Sequence, residues 1–197
     1  MMKLRLFLIL VISGGMTGCA TNITPTNEYL LMDDTLQTVS TQPTKRVSIQ
    51  LLPIVVASYL AGNEIVLVTQ QGEVHRSQSN LWAESLSSQL TRLTQQRLER
   101  TFPSVTWFGG QRLPTNPIGL LNIEVDGFYA DLNGAVHISG RWQVISETGQ
   151  LSASDTFYVT DKLEADGYST MVRTLSDSWF NRVIDPMTED IAEVLNR

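Results

Sequence analysis

The chain has 197 residues, with 14 basic and 20 acidic side chains and a formal net charge of −6. This length is enough for one domain with a hydrophobic core. An acidic chain does not suit nucleic acid, whose recognition needs clustered Lys and Arg side chains. It is equally unsuited to electrostatic docking on anionic lipid headgroups.

The first nineteen residues are organised like a bacterial secretory signal. Lys3 and Arg5 precede an apolar run over residues 6–12, which is shorter than the roughly 20 residues that a membrane-spanning helix needs. Small residues then lead to Cys19, the only cysteine of the chain. This arrangement resembles a lipobox, which implies cleavage before Cys19 and acylation of its thiol and of the new amine. The alternative is an ordinary signal peptide with an incidental cysteine.

The lipobox predicts how the chain is divided: a signal peptide (1–18), an acylated cysteine with a polar tether (19–28) and one domain (29–197). The signal peptide contains two basic residues and no acidic one, so the mature chain has 12 basic and 20 acidic residues and a net charge of −8. With Cys19 acylated, no thiol remains for a disulfide. The next residue is Ala20 rather than Asp, which by the bacterial sorting rule favours the outer membrane. We therefore expect a lipid-anchored protein on the periplasmic side of the outer membrane.

Three strands are predicted in the N-terminal half, at residues 29–32, 46–56 and 65–68. In the second of them, Val47, Ile49 and Leu51 alternate with polar residues, the pattern of a half-buried strand. Pro53 limits that strand to an edge or an end. Gly72 is placed at a turn between the third strand and a short partner.

A helix is predicted to begin near Leu81, with Asn80 as its N-cap. It ends before Pro103, because the residue before a proline leaves the helical region. Polar residues such as Gln89 are assigned to the solvent side. The apolar stripe of this helix consists of Leu86, Leu90, Leu93 and Leu98. A short strand follows the helix at 105–108.

An antiparallel meander of three strands follows. Residues 121–126 alternate apolar and polar side chains, and residues 136–144 do the same on the return strand. Asn133 and Gly134 form the pair that favours a type I′ hairpin turn. Thr148 and Gly149 mark a second turn, after which a third strand covers residues 151–159.

The C-terminal residues are predicted to be helical, with an apolar face that runs from Tyr168 to Val183. Asp185 is predicted as a cap and Pro186 as the first residue of a new turn, so the segment is one helix broken at Pro186 or two helices. The fold class that follows is α/β: a single domain with a mixed, mainly antiparallel sheet covered by helices.

No catalytic residue, metal site or cofactor is predicted, and the protein is not expected to be an enzyme. His75 and His137 are the only histidines, and neither stands in a metal-binding spacing. The sequence contains no Gly-x-Ser-x-Gly elbow and no phosphate-binding loop. A hydrolase would have to pair a serine with one of these two histidines.

Three apolar residues are candidates for contact with a partner. Tyr59 and Leu60 lie beside a turn just after a strand, and Trp82 lies near the predicted helix start. Exposed aromatic and apolar residues of this kind mark protein contacts. The alternative for all three is packing against the core.

Several segments, in this order, resemble the ABC-type transport auxiliary lipoproteins: Tyr59–Leu60, residues 80–86, the helix through 90–98, the strand 136–142 with Gly140, and residues 166–176. The resemblance covers the chain from Glu28 to its C-terminus.

The resemblance implies a non-enzymatic outer-membrane component of an MCE-type system that moves lipids between the two membranes. Its implied partner is an MCE-domain protein of the periplasm or inner membrane, whose hydrophobic conduit the lipoprotein docks. Contact with phospholipid and assembly into a homo-oligomer stay open, and no nucleic acid is involved. The alternative is a structural or chaperone-like lipoprotein in outer-membrane assembly, without lipid passage.

Overall fold

The computed structural model describes residues 25–34, 47–109 and 119–196. Cys19 and the signal peptide lie outside these ranges, as does most of the tether. The described residues form one mixed sheet of nine strands together with three α-helices, which confirms the predicted α/β class. The strands are β1 (Asn27–Tyr29), β2 (Ser48–Leu51), β3 (Val55–Val56), β4 (Glu64–Val68), β5 (Val74–Trp82), β6 (Thr106–Gly109), β7 (Gly119–Ala130), β8 (Ala135–Ile145) and β9 (Leu151–Lys162); the helices are α1 (Leu86–Thr101), α2 (Tyr168–Ser178) and α3 (Asp185–Leu195).

Strand β7 organises the sheet. Strand β8 pairs with it antiparallel along one edge, and β9 pairs antiparallel with β8, so the predicted meander is confirmed. Along the other edge of β7, the short strands β2, β3 and β4 follow one another in parallel pairing. Strand β6 extends the sheet beyond β2, whereas β5 and then β1 extend it beyond β4.

The predicted strand 46–56 is two strands, because Leu52, Pro53 and Ile54 interrupt it between β2 and β3. Gln50 was expected on a solvent-facing side of that strand, but it is buried, since β2 lies between β6 and β7. The first strand precedes its predicted position and ends at Tyr29, where it pairs with Trp82.

All three hairpins of the described residues use a loop of three residues that ends in glycine. Gly72, Gly134 and Gly149 have φ values of 84°, 78° and 78°. A type I′ turn at Asn133 and Gly134 is wrong, because it needs positive φ at both residues and no described non-glycine residue has one. The loop spans residues 132–134, and the Asp131 N–H donates to Ala135 O at 2.8 Å. Glycine is needed at the last loop position because it adopts the left-handed conformation without strain.

A β-bulge in β7 keeps its apolar residues on one face. Val125 lies opposite Gly140 and Gly127 lies opposite Ser139, so Asp126 is the extra residue. The phase of the alternation therefore changes by one residue, and Phe128 continues the buried face.

Gly140 is required on this face by the close approach of an aromatic ring. A Cβ at this position would lie 2.6 Å from Cζ of Phe157 and would also clash with the backbone oxygen of Glu124. Phe157 uses this space to reach Trp179, with ring centroids 5.9 Å apart in an edge-to-face arrangement. The glycine thus allows β9 and the helical layer to pack together.

Helix α1 begins at Leu86, five residues after the predicted start. Ser85 is the N-cap and accepts a hydrogen bond from the Ser88 N–H at 3.3 Å. Asn80 is not a cap, because it lies in β5 and pairs with Asn27 of β1. The predicted stripe is confirmed as buried: Leu86, Leu90, Leu93 and Leu98.

Gln89 was assigned to solvent and is instead fully buried. Its Oε1 accepts the Leu31 N–H at 2.8 Å, and its Nε2 donates to Glu84 O at 2.8 Å. The polar side chain therefore fixes the N-terminal segment on α1, a partner from far along the chain that no local pattern reveals.

The C-terminal helix is not broken at Pro186. A π-helical segment, Trp179–Ile184, joins α2 directly to α3, and the Asp185 N–H donates to Phe180 O. In a regular α-helix the ring of Pro186 would clash with the carbonyl of Arg182, and the widened π turn removes that conflict. None of the helices in the described ranges is both long and apolar enough to cross a membrane.

A buried ion-pair network ties the helical layer to the N-terminal segment. Arg97, only 2 % exposed, binds the Asp185 carboxylate through Nε at 3.0 Å and Nη2 at 2.7 Å. Its Nη1 donates to Asp33 Oδ1 at 3.2 Å, and Arg100 contacts the other oxygen of Asp33. Asp185 was predicted as a helix cap; its φ and ψ of −62° and −47° are helical, and its carboxylate instead takes Arg97.

Arg97→Met should lower the free energy of unfolding by about 3–5 kcal/mol, because it removes the buried guanidinium that binds Asp185 and one oxygen of the buried Asp33 carboxylate. Urea denaturation followed by circular dichroism measures this loss. Arg92→Met is the matched control, since Arg92 lies on the same helix in an exposed pair with Glu84 and should cost less than about 1 kcal/mol. Equal losses for the two variants would contradict the role given to Arg97.

Candidate functional site

The helices pack against only one face of the meander. Helix α2 contacts β7, β8 and β9 and α3 contacts β9, on the side of the buried apolar residues, whereas α1 lies against β3 and β6. We call the other side of β7–β9 the open face. The residues whose register places them on it are Leu120, Asn122, Glu124, Gly127, Tyr129, Ala135, His137, Ser139, Arg141, Gln143, Ile145, Leu151, Ser154, Thr156, Tyr158, Thr160 and Lys162.

Three tyrosines, which we call the tyrosine stripe, lie on this side: Tyr59, Tyr129 and Tyr158. The Tyr158 side chain is 76 % exposed. The Tyr59 hydroxyl donates to the backbone oxygen of Asp126 at 2.9 Å. Burial, with Tyr129 and Asp126 adding to it, raises the pKa of Tyr59 to about 12. Burial also raises the pKa of Tyr129, with Tyr158 and then Asp131 contributing.

Tyr59 and Tyr129 are therefore neutral at physiological pH. A row of aromatic rings with polar tips, beside polar neighbours such as Ser139 and Thr160, is a composition typical of protein-binding surfaces. Nothing in the composition of the open face points to recognition of a strongly charged ligand, since Arg141 is paired with Glu124 across β8 and β7.

The three predicted contact residues differ in their exposure to solvent. Leu60 and Trp82 are 3 % and 4 % exposed, and Trp82 packs on Phe128 with ring centroids 6.3 Å apart. Their burial favours the core alternative for both. Tyr59 is partly exposed, and its contact with a partner stays a prediction.

His137 joins a chain of polar side chains at one end of the open face. Its Nε2 lies 3.0 Å from Asp131 Oδ2 and its Nδ1 lies 3.2 Å from Thr160 Oγ1. Its ring stacks on Tyr129, with centroids 5.3 Å apart and planes at 27°. Asp131 Oδ1 also accepts the N–H groups of Asn133 at 2.8 Å and Ala135 at 3.0 Å.

This chain of hydroxyl, imidazole and carboxylate has the order of a catalytic triad, but its surroundings indicate that it stabilises the β7–β8 hairpin. Asp131 holds the β7–β8 loop closed through two backbone N–H groups. Thr160 is exposed on a flat strand surface, whereas an acyl-transfer site needs a substrate pocket and donors for the oxyanion. His75, the other histidine, is exposed beside Glu73. In the described ranges, no three His, Cys, Asp or Glu side chains are grouped so that they could hold a metal ion.

Sequence reasoning missed Tyr129, Tyr158 and the environment of His137. The signal that could have found them was the alternation itself, because the residues between the apolar positions of a meander all lie on its second face. Which residue each of them faces on the neighbouring strand, however, depends on the strand register, and the bulge at Asp126 shifts that register.

Asp131→Asn should reduce the dependence of stability on acid. Burial alone would raise the pKa of Asp131, but hydrogen bonds from His137, Ala135 and Asn133 hold it below its usual value. A carboxyl with a lowered folded pKa stabilises the protein above the unfolded pKa, and this contribution is lost as the pH falls through the folded pKa. Thermal unfolding at pH 6, 4 and 3 should show a smaller acid-induced decrease in Tm for Asp131→Asn than for the wild type. An equal acid-induced decrease in Tm for the variant and the wild type would contradict the role given to Asp131 in stabilising the hairpin.

Comparisons with known proteins agree with this fold. The family model of the ABC-type transport auxiliary lipoprotein component matches residues 29–187. The intermembrane transport lipoprotein PqiC of Escherichia coli is 27% identical over 182 residues, which cover 89% of this chain and 92% of that protein. PqiC of Shigella flexneri gives the same values.

Two crystal structures share the architecture. The crystal structure of an uncharacterized protein has a TM-score of 0.72 and 27% identity, over 85% of this chain and 99% of that one. A protein from Xanthomonas campestris, at 16% identity, has a TM-score of 0.59 over 78% and 93% of the two chains and shares the fold alone. Because the family model spans most of the chain, the protein belongs to the ABC-type transport auxiliary lipoprotein family.

Proposed function

We propose that the protein is an outer-membrane lipoprotein that docks the periplasmic conduit of an MCE-type system for lipid transport between membranes. Its family is one of transport auxiliary lipoproteins rather than of enzymes, and its relative PqiC is named an intermembrane transport lipoprotein. The observation that supports docking is the tyrosine stripe on the open face. Acylated Cys19 is the proposed anchor, and it places the domain on the periplasmic side.

The chemistry of the stripe suits a protein partner. Tyrosine supplies a large contact area at a low cost in conformational entropy, and it is enriched among residues that dominate binding energy. Phenol hydroxyls form hydrogen bonds without attracting counter-ions, and the mature chain predicted from the lipobox has a net charge of −8. An MCE-domain protein is therefore the proposed occupant of the open face.

A structural or chaperone-like role in outer-membrane assembly is the second candidate. The same stripe would then contact a barrel-assembly or envelope protein, and no lipid would pass. The two candidates differ in the identity of the partner, which a crosslinking experiment determines.

The location is tested by Ala20→Asp, which should move the lipoprotein from the outer to the inner membrane by the sorting rule. Membranes separated on a density gradient and probed by immunoblot measure the distribution, and Ala20→Ser is the control that should leave it unchanged. Mass spectrometry of the N-terminal peptide establishes whether Cys19 carries acyl chains. A wild-type protein found in the inner-membrane fraction would overturn the proposed location.

The docking face is tested by Tyr158→Asp, which places a charge on the most exposed member of the stripe. We expect at least a tenfold reduction of the MCE-domain protein recovered after crosslinking in cells and identification by mass spectrometry, because a buried charge without a partner disrupts an interface. Met32→Asp is the matched control, since Met32 is 58 % exposed and lies at α2, where its N–H reaches Ser176.

Circular dichroism should be the same for both variants and the wild type. If Tyr158→Asp recovers as much MCE-domain protein as the wild type does, the open face is not the docking surface. Recovery of barrel-assembly or cell-wall proteins alone, from the wild type, would replace the transport function by the structural one.

A further inference from the structure

Strand β9 has one unpaired side, which we call the outer edge. The strand pairs with β8 from Leu151 to Lys162, and among the described residues no strand or loop backbone pairs with its other side. This strand of 12 residues is about twice as long as an average strand, and it contains no proline that would block pairing. A long unpaired edge is a template for pairing with another chain.

The register of the meander fixes which backbone groups of β9 point outward. The Leu163 N–H donates to Gly134 O at 2.8 Å, and the pairing of β9 with β8 continues from there without a shift as far as Ala153. Because hydrogen-bonded and non-hydrogen-bonded pairs alternate in an antiparallel ladder, every second residue turns its N–H and C=O away from β8. These outward residues are all exposed: Ser154, Thr156, Tyr158, Thr160 and Lys162.

The outward backbone groups belong to the same residues whose side chains lie on the open face. Tyr158 is therefore both a member of the tyrosine stripe and the middle one of the outward residues. A strand added to β9 would extend the open face, with its own side chains beside Tyr158. A partner that covers the stripe thus reaches the outer edge as part of the same continuous surface.

Asp155 limits the part of the outer edge that can accept a strand. Its Oδ1 accepts the Thr156 N–H at 2.7 Å, so this outward donor is already satisfied within β9. Charged side chains of this kind protect exposed edges from non-specific pairing. The N–H groups of Tyr158, Thr160 and Lys162 donate to no group of the described residues. They alternate with outward C=O groups and repeat about every 6.8 Å, a spacing that another extended backbone matches.

A polar cavity lies beside this part of the edge, on the helical side of β9. Its volume is about 490 Å³, and its lining includes Asp161, Asn181 and Arg182. Asp161 already binds Ser178 and Arg182. Side chains of an added strand alternate between its two faces, so one set would meet polar groups of both charges and the other would lie beside Tyr158. The edge therefore fits a segment in which polar residues alternate with aromatic or β-branched ones.

A second copy of this chain is a poorer occupant of the outer edge. Two β9 strands paired antiparallel across all their outward residues would have Tyr158 on the two-fold axis. Asp155 of one copy would then face Asp161 of the other, at two places in the pair. Like charges directly opposite each other destabilise a pair of strands. An extended segment of a different protein is not subject to this repulsion.

We infer that the outer edge of β9, from Tyr158 to Lys162, takes an extended segment of the partner protein as an added strand. The segment forms backbone hydrogen bonds with β9 and places aromatic or β-branched side chains beside Tyr158. This inference rests on the proposed function for the identity of the partner, an MCE-domain protein, and it adds the mode of contact. In strand addition the main-chain bonds supply affinity, whereas the surfaces that receive alternate side chains supply specificity.

The test compares two substitutions of one residue in the full-length lipoprotein, expressed in cells. Thr160→Pro removes the outward N–H but leaves the ladder with β8 in place, because the Thr160 N–H takes no part in that ladder. Thr160→Ala is the matched control, since it keeps the N–H and loses the same hydroxyl with its contact to His137. The measurement is the amount of MCE-domain protein recovered after crosslinking. Circular dichroism establishes that both variants are folded.

We expect Thr160→Pro to recover at least tenfold less MCE-domain protein than Thr160→Ala does. Equal recovery by the two folded variants would overturn strand addition, while a loss with Tyr158→Asp would still support docking on the open face. If the wild type recovers another protein instead, the proposed function fails, and the same comparison made with that protein decides the inference separately. Crosslinks between copies of the lipoprotein alone would assign the edge to a second copy and overturn the inference.

Hydrogen exchange tests the same edge without a substitution, should Thr160→Pro not fold. In the free full-length lipoprotein in detergent, the amides of Tyr158, Thr160 and Lys162 should exchange faster than those of Val159 and Asp161, which bond to β8. In the complex with the MCE-domain protein, purified after crosslinking, the three outward amides should exchange at least tenfold more slowly, as measured by mass spectrometry with fragmentation at single-residue resolution. Unchanged exchange of these three amides in the complex would overturn strand addition.

Discussion

The pairing of Arg97 with Asp185 and Asp33 is the interaction on which the arrangement of layers depends. A guanidinium buried in α1 is tolerable only when carboxylates neutralise it and accept its N–H groups. One of these carboxylates comes from the N-terminal segment and the other from the start of α3. Residues 33, 97 and 185 must therefore meet at one point before the helical layer is stable. This condition places all three helices on the same face of the sheet and leaves the other face of the meander open.

Trp179 makes the second link between these layers, and the π turn serves both. Its ring meets Phe128 and Phe157 edge to face, and its Nε1 donates to Thr94 at 3.0 Å. A regular helix rotates 100° per residue, whereas the wider π turn changes the phase between α2 and α3. Trp179 can thus point into the core from one side of the turn while Asp185 reaches Arg97 from the other. The fold gains this geometry at a proline, where a regular helix would have broken.

The parts of the fold that sequence predicted were those set by local periodicity: the meander, the leucine stripe of α1 and the apolar face of the C-terminal segment. The errors share one cause, which is a partner distant in the chain. Asn80 resembles an N-cap, but β1 pairs with it; Gln89 resembles a solvent residue, but Leu31 and Glu84 bind its amide. The tyrosine stripe was missed for the same reason. Alternation places Tyr129 and Tyr158 on one face, but only the register and the chain path beside β7 bring Tyr59 to them.

The two faces of the meander differ in what they can contact, because one is covered by helices and the other is open. The helical layer occupies one face, so a partner of the proposed kind has the open face and the ends of the strands. The open face carries phenol hydroxyls, whose hydrogen bonds do not weaken with salt as surface ion pairs do. Because Tyr129 and Tyr158 project from strands of one hydrogen-bonded meander, their spacing is fixed by the pairing of β7, β8 and β9, and a partner meets a surface that is already ordered.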